Sequence, residues 1–420
     1  MQGRWQAPLL TFAKRHLDNI QQLNASNWPK TPLMPPTRTK DNFLIFGSPL
    51  IEEAEIEEVI ACMRSAWIGT GPRVAQFESD FAAYKGVQQA VALNSCTAAL
   101  HISLLVANLK PGDEVITTPL TFCATVNAII HAGATPVLAD VDFDTMNIDP
   151  IEVERRINPR TRAVVPVHFA GRPCDMNAIM AIAQRHRIKV IEDCAHAIET
   201  EYKGRKAGTF GDFGCFSFYS TKNIVTGEGG MVLAKREEDI ARLKVLGLHG
   251  MSQDAWKRFG DDGFKHYQVV ECGFKYNMMD MQAAMGIHQL KRIEEYWQRR
   301  SKIWQQYMDA FVDLPLGLPA TVEENTRHAY HLFTILVDKE RTGISRDHFL
   351  DRMTQEGIGV GVHYMSIPEH PYYQQTFGWK PEDYPNAMRI GRQIVSLPIS
   401  AKLSAQDRHD VIAAANMSLY

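Results

Sequence analysis

A lone lysine, Lys222, stands in the apolar run GCFSFYSTKNIVTGEGGMV, residues 214–232, between a β-like stretch and a glycine-rich turn. Apolar surroundings disfavour the ammonium form of a lysine, and the neutral amine can attack an aldehyde to form an imine. A solvated loop lysine is the plainer reading, and the preferred one for Lys222 taken alone. Upstream, the strand-like run Lys189–Glu192 ends in Asp193, followed by Cys194, Ala195 and His196. A carboxylate leaving a buried strand end needs a cationic partner, although an aspartate that caps a helix would have the same setting.

Together the two residues describe more than either alone. An amine that condenses with an aldehyde and a carboxylate that keeps a pyridine nitrogen protonated are two requirements of pyridoxal phosphate. The third is a cup for the phosphate. Val91–Leu93 runs into Asn94, Ser95, Cys96 and Thr97 and then into the helical pattern AALHISLLVANL, so amides and hydroxyls gather where a helix N-terminus stabilises an anion. An ordinary Ser/Thr N-cap has the same signature.

The elements that must position these groups are legible as strand-like runs alternating with helical patterns. The runs are Ala90–Leu93, Glu114–Thr117, Thr135–Ala139, Ala163–Val167, Lys189–Glu192, Gly214–Ser217 and Gly230–Ala234. This alternation predicts an α/β layer with a mainly parallel central sheet and ligands at the carboxyl ends of its strands. Ahead of it, Glu52–Arg64 and Arg73–Tyr84 read as helices flanking the break at Gly69, Gly71 and Pro72. Residues 1–42, with the Pro-rich stretch Trp28–Lys40, are expected to form an N-terminal arm. Residues 43–300 are expected to form the large cofactor-binding domain. A helical pattern over Met281–Tyr307 leads to a smaller α+β domain, 301–420, with strands over His331–Val337 and Gly359–Val362. His328 and His331 have helical spacing but no acidic or cysteine companion that would recommend a metal.

Composition narrows the partners. Lys and Arg number 45 against 48 Asp and Glu, with no long run of one sign, so no bulk field favours nucleic acid or an anionic membrane. Hydrophobic residues at 45% and charged residues at 22% are ordinary globular usage and argue against a disordered chain. No stretch approaches the roughly 18 apolar residues of a membrane span, and the first residues lack a signal-peptide pattern, so the cytoplasm is the expected location. The seven cysteines are scattered without a Cys-x-x-Cys pair, which predicts reduced thiols and no zinc site.

The stretches WIGTGPRVAQFESDFAAY, NSCTAALH, TPLTFCATVNAI, EDCAHAIETEYKGRKAGTFGDFGCFSFYSTKNIVTGEGG and GFKYNMMDMQAAMG resemble, in order, the sugar-nucleotide aminotransferases of the DegT/StrS family. The similarity covers residues 44–300 and continues more weakly to the C-terminus. It implies the type I aminotransferase fold, with Lys222 as the Schiff-base lysine, Asp193 as partner of the ring nitrogen and His196 as a contact to the phenolic oxygen. Phe122 would stack on the ring, while the Cys96 amide, Thr97 and Ser217 would bind phosphate. In the family the segment matching Gly273–Asp280 enters the neighbouring subunit's site, which implies a homodimer with shared sites in which Lys275 or Asn277 makes the crossing contact. Trp67, Thr70, His331, His363 and Tyr364 stand where relatives approach substrate, although an isolated histidine is more often a packing residue. Many relatives have Ser-Gly-Thr for Ser95-Cys96-Thr97, and Asn and Arg for Lys275 and Asn277.

The resemblance implies transfer of an amino group from an amino acid, L-glutamate, to a keto group on a nucleotide-linked sugar. HFAGRP, residues 168–173, and GLHGMSQDAW, residues 247–256, resemble relatives that aminate C4 more than those that aminate C3. The alternatives are C3 amination, dehydration of the sugar, and a pyridoxal-phosphate-binding regulator without turnover. The dehydrating branches carry histidine at the lysine position, and Lys222 favours amino transfer.

Overall fold

The computed structural model describes Arg38, residues 42–252 and residues 267–420. The expected N-terminal arm therefore lies outside the described residues except at Arg38 and Asn42, as does the 253–256 part of GLHGMSQDAW. Arg38 is tied to the far end of the chain, its Nε donating to Asp410 Oδ2 at 2.7 Å.

Among the described residues nine strands precede residue 235: β1 (Ala90–Leu93), β2 (Glu114–Thr117), β3 (Thr135–Leu138), β4 (Thr161–Val165), β5 (Lys189–Asp193), β6 (Glu201–Tyr202), β7 (Arg205–Lys206), β8 (Phe213–Ser217) and β9 (Gly230–Ala234). Seven of them form one sheet in the order β1-β9-β8-β5-β4-β2-β3. β2, β3, β4, β5 and β8 pair in parallel, and β9 alone runs against its neighbours β8 and β1. These strands read as continuous apolar runs because helices cover both faces of the sheet. On one face the helix Cys96–Val106, apolar nearly all round, packs Leu100, Leu104 and Val106 against Val115, Val165, Ile191 and Val232. On the other, Ile179 and Ile182 meet Ile116, Val164 and Val190, and Phe77 and Phe81 meet Phe216 and Phe218.

The helical pattern over Met281–Tyr307 is two helices, Asp280–Lys291 and Ile293–Phe311, broken at Arg292 (φ −103°, ψ 7°). The break leaves no mark in the periodicity because Leu290 and Ile293 are buried on either side of it. Arg292 turns its guanidinium onto Glu52 and Glu55. The second helix runs unbroken through position 300.

Beyond it lie β10 (Thr326–Arg327), β11 (Phe333–Leu336) and β12 (Ile394–Leu397). β11 and β12 pair antiparallel over a core of Tyr307, Phe311, Phe333, Val395 and Ile412, while β10 pairs with β6 and so fastens this smaller α+β part to the larger one. The strand expected over Gly359–Val362 does not form. Only single bridges form there, Gly361 with Ser396 and, just before the segment, Ile358 with Leu44. Among the described residues no helix is long and apolar enough to cross a membrane.

The mainly parallel arrangement brings the ends of β2, β4, β5 and β8 to one edge, with the end of β1 beside them.

Candidate active site

Asp193 closes β5 and is only 4% exposed. Its Oδ2 accepts from the Thr125 hydroxyl at 2.8 Å and its Oδ1 from the Ala195 amide at 3.1 Å. A turn follows rather than a helix, so Asp193 is not a helix cap. Burial raises its pKa against those two hydrogen bonds and the charge of Lys222, and no cation pairs with it among the described residues. A buried carboxylate held by dipoles alone is a place for a cationic ring nitrogen.

β8 pairs with β5 in register Asp193 to Cys215 and ends at Ser217; Lys222 follows in the next turn, its amide donating to Tyr219 O at 2.8 Å. Burial lowers the Lys222 pKa to about 8. Its amine has no hydrogen-bond partner among the described residues. The lowered value raises the fraction of neutral amine, the form that condensation with an aldehyde requires.

The phosphate cup takes shape at the start of the helix Cys96–Val106. Ser95 is the N-cap, its Oγ accepting from the Ala98 amide at 3.1 Å, so the ordinary capping reading holds for Ser95 itself. That leaves the first-turn amides of Cys96 and Thr97 for an anion. The Cys96 side chain lies in the core beside Ala99 and Leu100, and burial raises its pKa well above the usual thiol range. The Thr97 hydroxyl is half-buried with no partner among the described residues. Gly230 lies so close that a Cβ there would sit 2.4 Å from the Ser95 carbonyl and 2.6 Å from the Cys96 nitrogen. Ser217, on the neighbouring strand, accepts from the Tyr219 amide at 3.4 Å. Unpaired carboxylate, near-neutral amine and open helix amides together fit pyridoxal phosphate.

Phe122, at the N-cap of the helix Cys123–His131, is 57% exposed and stands 5.9 Å from the ring of Tyr364. Tyr364 in turn places its hydroxyl 3.0 Å from His196 Nε2. His196 Nδ1 accepts from the Ala170 amide at 3.2 Å, and burial lowers the ring's pKa well below its usual value. The neutral ring therefore carries its proton on Nε2 and donates it to Tyr364. Both ring nitrogens of His196, the residue expected to touch the phenolic oxygen, are thus taken up here by Ala170 and Tyr364. His331 lies 4.5 Å from His196, and His363, with its Nδ1 2.8 Å from Ser396 Oγ, has its pKa lowered by burial to about 4. His328 and His331 are not on a helix: they sit in irregular chain that turns at Tyr330 (φ +51°) and face different partners, His328 Nδ1 accepting from the Tyr330 amide at 2.7 Å.

Trp67 and Thr70 join a second cluster. Trp67 Nε1 donates to Thr70 O at 3.1 Å, and the Thr70 hydroxyl donates to Met278 O and accepts from Asn277 Nδ2, both at 2.6 Å. Asn277 Oδ1 is buried without a partner among the described residues. Lys275 is exposed, and its carbonyl accepts from Asn94 Nδ2 at 3.3 Å, which sets this segment beside the cup.

Reasoning from residue types missed Thr125, whose only signal was its place in the TPLTFCATVNAI stretch. Nor do residue types single out Glu199, Asn223 and Arg300, which come into contact only in the folded chain. His168, Glu192 and Cys194 could together offer metal ligands, yet Glu192 already accepts from the amides of Gly208, Phe210 and Gly211 and meets His168 Nε2 at 3.1 Å. His168 Nδ1 accepts from the Cys174 amide at 3.0 Å, which leaves neither residue a lone pair for an ion.

Three comparisons bear on this geometry. The sequence model of the DegT/DnrJ/EryC1/StrS aminotransferase family matches residues 49–416. The spore coat polysaccharide biosynthesis protein SpsC of Bacillus subtilis is 48% identical over 376 residues, 89% of this chain and 97% of that protein. Among solved structures, Spr1654 of Streptococcus pneumoniae in its PMP form superposes with a TM-score of 0.83 at 32% identity, covering 90% of this chain and 98% of that one, and a PLP form gives the same score. PseC of Helicobacter pylori, an aminotransferase involved in the biosynthesis of pseudoaminic acid, superposes with a TM-score of 0.83 at 28% identity over 90% of this chain and 99% of its own. This chain belongs to the DegT/DnrJ/EryC1/StrS aminotransferase family and, by that membership and the site just described, is an aminotransferase that works with pyridoxal phosphate.

Proposed function

We propose that the chain moves an amino group from L-glutamate to the C4 keto carbon of a sugar carried on a nucleotide. The observation that carries the reading is the pairing of a buried, cation-free Asp193 with Lys222, whose amine follows the adjacent strand. Lysine at that position favours amino transfer over dehydration, and the chain's likeness to a polysaccharide biosynthesis protein and to PseC supports a sugar acceptor.

Pyridoxal phosphate supplies an aldehyde that takes up amines and a ring that withdraws electrons from the carbon beside them. Lys222 Nζ would tether the cofactor covalently and, once freed by the donor's amine, would carry the proton from the substrate carbon to the cofactor carbon that had been the aldehyde. Asp193 holds the proton on the ring nitrogen, with Thr125 fixing the carboxylate's orientation. Phe122 covers one ring face. The Cys96 amide, Thr97 and Ser217 would hold the phosphate, and the His196 Nε2 proton, which Tyr364 accepts here, would turn to the phenolic oxygen.

Asn277 is engaged by Thr70 of its own chain, whereas Lys275 is exposed, which supports Lys275 as the residue that reaches the partner's site in a homodimer. His331, His363 and Tyr364 would face the sugar from the C-terminal part, and Trp67 and Thr70 would do so across the dimer. On this reading residues 43–300 are the cofactor-binding domain and 301–420 the smaller one. The cytoplasm fits the seven free thiols, which form no disulfide. HFAGRP favours C4 over C3.

The test is a panel of 3-keto and 4-keto nucleotide sugars offered with glutamate. Amination of the 4-keto compounds is expected. Amination of 3-keto sugars alone would move the assignment to C3, and loss of water without amine transfer would end it.

A further inference from the structure

Arg300 and Glu199 form an ion pair in the interior, at 2% and 1% exposure. Two charges taken out of water are costly to keep, so their other contacts matter. The second Glu199 oxygen accepts from Asn223 Nδ2 at 2.8 Å, and Asn223 directly follows Lys222. The Ala329 carbonyl accepts from the same Asn223 nitrogen at 3.1 Å and from Arg300 Nε at 3.4 Å. With its nitrogen facing two acceptors, the Asn223 amide has one orientation, and its Oδ1 lies 2.9 Å from His331 Nδ1.

An amide oxygen carries no hydrogen, so the proton of this contact belongs to His331 Nδ1. The ring is neutral, because burial lowers its pKa well below the usual value and the charges of Lys222 and Arg300, with His363 and His328, oppose a further proton. Its Nε2 is then a bare lone pair with no partner among the described residues, on a ring packed 4.5 Å from His196. Gly171 makes the approach of this segment close: at φ +97° it takes a conformation that favours glycine, and a Cβ there would sit 2.9 Å from Ala329 Cβ.

We propose that Glu199 and Arg300 are positioning residues for amino transfer: acting through Asn223, they hold His331 as the Nδ1–H tautomer, so that Nε2 accepts a hydrogen bond from a hydroxyl of the sugar. A histidine fixed this way cannot donate to the keto oxygen, and it selects acceptors that bear a hydroxyl near the reacting carbon. The choice of ligand rests on the sugar reading above, whereas the tautomer does not.

Ring-labelled ¹⁵N-histidine in the full-length protein reads the tautomer directly. The expected His331 signal is a protonated Nδ1 with a bare Nε2 that does not titrate near neutral pH. In Glu199→Gln the single tautomer is expected to give way to a mixture, and KM for the keto sugar to rise about tenfold with a smaller change in kcat. Arg300→Lys, which keeps the charge, is expected to retain more of both than Arg300→Met. A wild-type His331 protonated on Nε2, or a Glu199→Gln protein with unchanged tautomer and KM, would overturn the relay. If Glu199→Gln fails to fold, the wild-type tautomer still decides. Absence of turnover with every keto sugar would defeat the sugar assignment and leave the tautomer measurement to judge the relay by itself.

Discussion

Thr125 reaches across 68 positions of sequence to donate its hydroxyl hydrogen to Asp193 at 2.8 Å, the only side chain that donates to this carboxylate among the described residues. The contact holds the acid in place without neutralising it. Stability and function are therefore opposed at this position, and the opposition can be measured.

Asp193→Asn removes a buried charge that lacks a cation. Burial raises the folded-state pKa of Asp193, so the fold carries no penalty in acid below the unfolded pKa and loses stability as pH rises from there through the folded value. Near neutral pH the cofactor-free variant should melt no lower than the parent protein. With pyridoxal phosphate bound, amino transfer should fall by about a hundredfold or more, since the ring proton loses its partner. Calorimetry of the cofactor-free protein and half-reaction rates of the loaded one check the two signs.

Lys222 should capture its cofactor in a pH-dependent way. With a pKa lowered to about 8 the amine is mostly protonated below that pH, so capture should quicken by about tenfold per pH unit up to about 8 and level off above it. Stopped-flow absorbance follows this directly. Lys222→Ala should give no adduct that borohydride can fix to the protein.

Phe122 contributes little to the core, being exposed at a helix start. Phe122→Ala should change stability by less than about 0.5 kcal/mol. Its loss from the ring face should weaken cofactor binding by about 1 kcal/mol, roughly fivefold. Thermal melts without cofactor and dissociation rates with it separate the two effects.

Glu192, beside Asp193, should behave in the opposite sense. Burial pushes its pKa up, but His168 and the amides of Gly211 and Gly208 outweigh burial and hold it below the usual range. A carboxylate so held stabilises the fold above its unfolded pKa, and that stability is lost as pH falls through the folded value. Glu192→Ala strands three amides and His168 in the interior and should cost about 3–5 kcal/mol. Urea unfolding at neutral and acid pH measures both.

Much of this architecture was legible in the sequence. All seven strands of the large sheet fall where apolar runs between helical patterns placed them, because strands covered on both faces have few polar residues to blur their ends. Lys222, Asp193 and the cup at Ser95–Thr97 stand out as candidates for a related reason: polar groups at the ends of buried runs are conspicuous by contrast. What escaped were features that leave no local pattern. The break at Arg292 has no glycine or proline to mark it, and β6, β7 and β10 are two residues long each. β12 lies in a stretch whose polar Ser396 is buried against Gly361 and His363, partners that only the folded chain brings together. The tautomers of His196 and His331 depend on Ala170 and Asn223, and nothing about a histidine's neighbours in sequence announces those contacts.

The start of the helix Pro72–Lys85 depends on a residue made much later. Its first amides, those of Arg73 and Val74, donate to the two oxygens of Asp280, 207 and 206 positions downstream, at 3.1 and 3.0 Å. A chain emerging from the ribosome exposes this helix long before Asp280 has been synthesised, so its leading turn stays frayed until translation has passed the whole central sheet. Fragments ending before residue 280 should therefore leave that turn open to proteases even where the rest of the helix has formed.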